Sequence, residues 1–447
     1  MTSLEFTPFT MMADIGYISI LMVVGTFMRR HFAWFRQLLI PASITAGLLG
    51  LLLGPEVLHI IPFSDKLGSY STLLIAMVFA SMPYTMEFRT SEVAKARSMW
   101  SFSSGMFLGQ WGFFILFGLL VLKPFFGTED WFGMMLPVGF VGGFGTAAAV
   151  GSAIDDSGVG ASLGFTSATV GTLAAIVGGI IMANWAVRKG KTESLPAELP
   201  WSLRSGHYDD SETRPSIGKA TTNPSSIEPL ALHFGFIIVT VLVAYVAQQT
   251  VKSFFPAISI PLFVLSFVAG LLGVAFLHII KRPEYLDPQT VKSISGGSTD
   301  YLIAFGTASI VPSAVASYWV PLLIMFVLGV VYCLVFALVI APRFFSPNWF
   351  ERALFGWGWA TAAVATGIAL LKIVDPDLKS GALSDYDMAY VGFAPIEIGM
   401  TILAPLAVIG GFEWGLGAVA LLAAIAILAM PFMLGWIKKP DSPVPVE

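Results

Sequence analysis

The chain has 447 residues, with 24 Lys and Arg against 28 Asp and Glu, only 12% charged residues and a mean hydropathy of +0.80. Soluble proteins carry about 25% charged residues, so this chain lacks the charge to cover a water-facing surface of its length. A soluble enzyme, a secreted disulfide scaffold (Cys333 is the single cysteine) and a nucleic-acid binder are excluded, leaving a polytopic helical membrane protein.

Apolar runs long enough for a hydrocarbon layer roughly 30 Å thick fall at 14–28, 38–58, 68–88, 99–122, 161–187, 230–251, 257–280, 298–316, 319–341, 388–409 and 416–437. Glu5 precedes the first run and Arg29-Arg30 follows it, the reverse of a cleavable leader. Two further stretches, about 132–153 and 353–372, are crowded with small residues: Gly142-Gly143-Phe144-Gly145-Thr146-Ala147-Ala148 and Gly356-Trp357-Gly358-Trp359-Ala360-Thr361-Ala362-Ala363. Glycine inside a helix costs about 1 kcal/mol relative to alanine, so these stretches predict broken helices or re-entrant hairpins. Such backbone is tolerated only where protein or a water-filled cavity satisfies it. The polar segment 188–229 reads as a linker between two halves.

Charge placement decides how the two stretches run. With the N-terminus outside and both stretches re-entrant, only Lys66, Lys123 and Lys252 face outward, and the other 21 of the 24 basic residues are cytoplasmic. With both crossing fully the split becomes 11 to 13. Cytoplasmic loops carry the Lys/Arg excess, so the re-entrant arrangement is expected, with the 188–229 loop and the C-terminus inside.

The halves also resemble each other. Ile40-Pro41 before Ala46-Gly47-Leu48-Leu49-Gly50 matches Ile260-Pro261 before Ala269-Gly270-Leu271-Leu272-Gly273. Leu74-Ile75-Ala76 with Ala80-Ser81 matches Leu302-Ile303-Ala304 with Ala308-Ser309, and Gly143, Thr146, Ala147 and Ala148 match Gly358, Thr361, Ala362 and Ala363. The expected fold is all-α. It has two five-helix repeats, 1–187 and 230–410, each with a re-entrant hairpin, and an extra span and tail at 411–447. Five is odd, so the second copy is inverted. Inverted repeats with broken helices in matching positions point to a secondary transporter with its site at mid-membrane.

Broken tips expose N–H groups for a carboxylate and carbonyls that can replace the water shell of Na⁺. The candidate binding residues are Gly142, Gly143, Gly145, Thr146, Thr169, Gly356, Gly358, Thr361 and Glu397, with a Na⁺ site expected near Thr146, Thr361 and Glu397. Glu397 lies well inside its span, where an ionisable group is a functional candidate by default. It could bind a cation, take a proton or contact an amine. Asp155-Asp156 reads as a solvated exit loop, Glu87 and Asp300 as interfacial, and Thr166, Ser167, Thr172 and Asn184 as polar lining of one helix. No Ser/His constellation or metal spacing is seen, so neither enzymatic chemistry nor a cofactor is expected. The alternatives that remain are a proton- or Na⁺-coupled carrier of citrate-like dicarboxylates and, in another class, an ion channel.

The run Gly142-Gly143-Phe144-Gly145-Thr146-Ala147-Ala148-Ala149, with Ala168-Thr169-Val170-Gly171 and Gly178-Gly179-Ile180 after it, resembles the glutamate:sodium symporter family of bacterial inner membranes. The resemblance implies Na⁺-coupled import of glutamate or a similar small carboxylate. It also implies ten core helices, a scaffold that forms a homodimer in the lipid bilayer, and a transport domain moving as an elevator. Phe144 stands where that family commonly has histidine, and the second stretch has less Gly and Pro than is usual there. Both changes make the site bulkier and less polar.

Overall fold

The structure, a computed structural model, describes residues 4–86, 96–154, 157–189, 201–209, 214–255, 260–345, 348–376 and 378–436. The apolar runs become helices α1 (Pro8–His31), α2 (Ala42–Leu53), α3 (Leu67–Thr85), α4 (Arg97–Phe117), α5 (Met135–Gly139), α6 (Gly143–Ile154), α7 (Val159–Arg188) and α8 (Pro229–Phe254). They continue with α9 (Leu262–Ile279), α10 (Pro288–Ala308), α11 (Trp319–Val335), α12 (Trp349–Thr361), α13 (Val364–Val374), α14 (Ala382–Gly410) and α15 (Glu413–Met433). No strand occurs among the described residues, only a lone bridge between Leu4 and Ser64. Nine of the described helices are long and apolar enough to cross a membrane. The chain is an all-helical polytopic membrane protein.

Two of the eleven expected spans differ. The run at 38–58 yields a helix of 12 residues, closed at Gly54-Pro55; at about 1.5 Å per residue it is too short to cross alone. The run at 298–316 belongs to a helix that begins earlier and ends earlier. Asp287 caps α10 by accepting the Thr290 N–H at 2.8 Å, with Pro288 in the first turn. Pro312 starts a separate short piece, Pro312–Ser317, because proline has no N–H to continue the preceding ladder. Gln289, Lys292 and Asp300 leave α10 less apolar than its neighbours.

The chain divides into two compact units, the first being Met1–Glu87, Ala148–Ser162 and Ser205–Pro312. There α2 packs on α10 and α9 on α3, while α1 lies on α2 and α8 on α9. One apolar cluster joins Ile18, Leu21, Ala46, Phe63, Tyr70 and Phe305, and a second joins Met77, Ala80, Ile237, Val241, Leu277 and Val291. Glycine lets each contact close: a Cβ at Gly47 would stand 3.0 Å from the Ala304 carbonyl oxygen, and one at Gly270 would stand 2.7 Å from that of Ala80. The Ala-Gly-Leu-Leu-Gly motif of each half is therefore seated on the Ala-Ser motif of the other half. Asp14, buried in α1, accepts from the Ser64 N–H at 3.0 Å, the Ser64 hydroxyl at 2.5 Å and the Tyr70 hydroxyl at 2.8 Å. A carboxylate with three donors is stable where a bare one is not.

The second unit comprises Phe88–Ala147, Leu163–Arg204 and Ser313–Glu447. The stretch Arg97–Phe126 is its most deeply buried long helix, with 72% of its most apolar window inside the protein. The C-terminal helix α15 lies along α4, where Ser101 donates to the Ile427 carbonyl at 2.6 Å. Arg352 pairs with Asp385 at 2.6 Å to tie α12 to α14, and the Trp357 indole N–H donates to the Ala175 carbonyl at 2.9 Å to tie α12 to α7. Both α4 and α11 run into a π-helical turn, Gly118–Leu122 and Phe336–Ile340. Pro124 and Pro342 follow at matching places, and a proline ring that disrupts the ladder favours such a widened turn.

Candidate functional site

Both glycine-rich stretches are interrupted helices, and both interruptions lie in the second unit. The first is Phe140–Gly142, between α5 and α6. Phe140 leaves helical geometry at ψ −85°, and Gly143 takes φ +63°, a left-handed conformation that a side chain resists. The second is Ala362-Ala363, between α12 and α13, where Ala363 is fully extended at φ −163° and ψ 161°. The two abut: a Cβ at Gly143 would lie 2.9 Å from the Ala362 carbonyl oxygen. Gly143 is thus required twice, by its φ and by this approach.

Each interruption strands backbone groups, since a helical N–H needs the carbonyl four residues back. The Pro137 carbonyl is taken by the Gly142 N–H at 2.9 Å, so the Val141 N–H has no helical partner. The Gly358 carbonyl is taken by the Ala362 N–H at 3.1 Å and by the Ala363 N–H at 3.3 Å, while the Ala360 carbonyl lies in the last turn before the break. Gln110, on α4 and 0% exposed, meets both orphans. Its Oε1 accepts from the Val141 N–H at 3.2 Å, and its Nε2 donates to the Ala360 carbonyl at 3.3 Å and lies 3.4 Å from the Cys333 sulfur. The amide has only one consistent orientation, because an N–H needs its oxygen and a carbonyl needs its nitrogen. Gln110 is not among the residues expected from the sequence. The signal was present as an amide in the middle of the apolar run 99–122.

The expected site residues fall into four groups. Gly142, Gly143, Gly145 and Thr146 form the first tip. Thr146 is 8% exposed, and Gly142 is crowded by the Thr146 side chain and the Val138 carbonyl. Gly356, Gly358 and Thr361 line the end of α12. Gly356 faces the Phe102 ring and Gly358 lets α12 touch Gly367 of α13, so both glycines admit other parts of the protein. Thr361, fully buried, donates to its own helix at the Trp357 carbonyl, 2.6 Å away. Thr169 and Thr172 likewise donate within α7, to Phe165 at 2.8 Å and Ala168 at 2.9 Å. Ser167 has a sealed hydroxyl without a partner, and Asn184 is exposed.

Glu397 lies on α14, in a polar and aromatic setting of its own. It is half-buried, its Oε2 is sealed from solvent with no hydrogen-bond partner, and no hydrogen bond links it to Thr146 or Thr361. Its polar neighbours are Tyr390 and Tyr386 of its own helix. These belong to an aromatic cluster in which the Trp359 ring lies 5.7 Å from that of Tyr386 and 5.2 Å from that of Phe393. Asp300 lies on α10 in the first unit, while Glu87, Asp155 and Asp156 lie outside the described residues. A cavity of about 1030 Å³ in the first unit carries both signs of charge, from Glu56, Asp65 and Lys66. Its mixed lining makes it no dedicated anion site.

A family model for the sodium/glutamate symporter matches residues 8–373. The chain belongs to the sodium/glutamate symporter family. Membership makes it a membrane transport protein and implies Na⁺ as coupling ion and glutamate as substrate. The match takes in both interrupted helices and ends within α13, so Glu397, α14 and α15 lie beyond it. No curated protein matches the chain.

Proposed function

We propose that this family member imports glutamate, or a similar small carboxylate, across a bacterial cytoplasmic membrane by Na⁺-coupled, elevator-type alternating access. The observation that carries the reading is the abutment of two helix interruptions, one from each half of the chain. In it, residues 1–187 and 230–410 are inverted repeats, 132–153 and 353–372 are re-entrant hairpins, 188–229 is a cytoplasmic linker and 411–447 is an addition. The matching π turns before Pro124 and Pro342 and the reciprocal seating of Gly47 and Gly270 support the repeat.

The N-termini of α6 and α13 offer free N–H groups to a substrate carboxylate, aided by their helix dipoles. Thr361 gives its hydroxyl proton to Trp357, which leaves oxygen lone pairs for a cation. Thr146, Thr361 and carbonyls at the end of α12 would hold Na⁺, and Glu397 would balance Na⁺ or the substrate ammonium. The second unit is the moving part and the first the scaffold of a homodimer. One net charge crossing 100 mV supplies about 2.3 kcal/mol, against about 1.4 kcal/mol for tenfold accumulation, so one or two net charges suffice for concentrative uptake. Na⁺ and substrate must both favour the same closed arrangement of the tips for coupling to hold.

In proteoliposomes, glutamate uptake is expected only with an inward Na⁺ gradient. Equal uptake with choline in place of Na⁺ overturns the coupling.

A further inference from the structure

We propose that Gln110 is a positioning residue that locks the two helix interruptions to each other, so that the binding geometry of one tip is set by the other. The proposal rests on reading the interruptions as the transport site, and on geometry that a packing role does not require. One fully buried amide accepts from Val141 at the first break and donates to Ala360 at the second, 250 residues away in sequence from Gln110 itself. An apolar side chain of equal volume would fill the same space, leave the Val141 N–H unpaired and leave the Ala360 carbonyl only the weak Cys333 thiol donor 3.9 Å away. No charged side chain supplies both roles, because lysine and arginine cannot accept and an ionised carboxylate cannot donate. A donor and an acceptor on one rigid planar group hold the two tips at a fixed separation. Na⁺ bound at one tip then orders the other through this amide.

The only cysteine of the chain reports on the same place. Cys333 is fully buried with its sulfur 3.4 Å from the Gln110 nitrogen, so alkylation of its thiol reads the opening of the tips without background. The test uses the full chain in proteoliposomes with Gln110→Leu, which keeps volume and loses both hydrogen bonds, and Gln110→Glu, which keeps the acceptor for Val141. The expected result for Gln110→Leu is at least a tenfold rise in the Na⁺ concentration needed for half-maximal glutamate uptake, with Vmax within threefold of wild type. Gln110→Glu is expected to fall between. A Na⁺ requirement within twofold of wild type, or a loss confined to Vmax, overturns the proposal. If wild type itself takes up no glutamate, the importer reading fails and the amide link is read by N-ethylmaleimide instead. Cys333 alkylation at least tenfold faster in Gln110→Leu, in a chain with an unchanged thermal midpoint, supports the link, and an unchanged rate overturns it. Should Gln110→Leu not survive purification, Gln110→Met is judged by the same criteria.

Discussion

At the scale of single residues, two polar groups in the apolar interior meet their partners with good geometry and a third does so only in part. Asp14 has three donors and Gln110 both a donor and an acceptor role, while Glu397 keeps an oxygen without a partner. A buried polar group left unpaired costs about 1–3 kcal/mol, so Asp14 and Gln110 stabilise what they join, whereas the Glu397 carboxyl is held by Tyr390 and leaves only its Oε2 unmet. Gly143 belongs to the same scale. Alanine there must adopt φ +63° and push against the Ala362 carbonyl. The left-handed conformation alone costs roughly 1–2 kcal/mol. Gly143→Ala is expected to lower the thermal midpoint by a few degrees and to cut uptake about tenfold or more, measured side by side in detergent and in proteoliposomes; a variant as stable and active as wild type would show that the approach of the tips is not needed. The glycine itself was legible, as part of a run too rich in small residues for an uninterrupted helix. Its partner was not, because nothing local to residue 143 points to residue 362.

Among elements, the two halves of the first unit exchange contacts. The glycine motif of α2 sits on α10 and that of α9 sits on α3. The matches between the halves were readable as repeats of composition. That each glycine motif serves the other half's Ala-Ser motif was not, since a repeat shows equivalence and leaves partnership open. Gly47→Val and Gly270→Val should each force their helices apart and lower the thermal midpoint by several degrees, and to a similar extent, as equivalent positions must. A large drop for one with none for the other would count against the repeat. Element lengths were less legible than element existence. The short α2 and the early start of α10 follow from Gly54-Pro55 and from the Asp287 cap, which a hydropathy pattern runs straight over.

For the whole molecule, the distribution of Lys and Arg predicts the orientation. Single cysteines placed at Lys66 and Lys252 in a Cys333→Ala background are expected to react with a membrane-impermeant maleimide added outside intact cells. Cysteines at Arg214 and Lys281 are expected to react only after the membrane is opened. The reverse pattern would invert the topology and, with it, the side from which each interruption is entered.

The sequence by itself determined that the chain is helical and lies in a membrane, where its helices break and which family it resembles. These are properties of composition, spacing and short motifs, and each can be read within one segment. Only the tertiary structure decided that the two breaks abut, that one amide from a third helix satisfies both, and that Glu397 sits beside tyrosines of an aromatic cluster. Those are pairings between donors and acceptors far apart along the chain, and they exist only once packing has excluded water and left each buried group to find its partner.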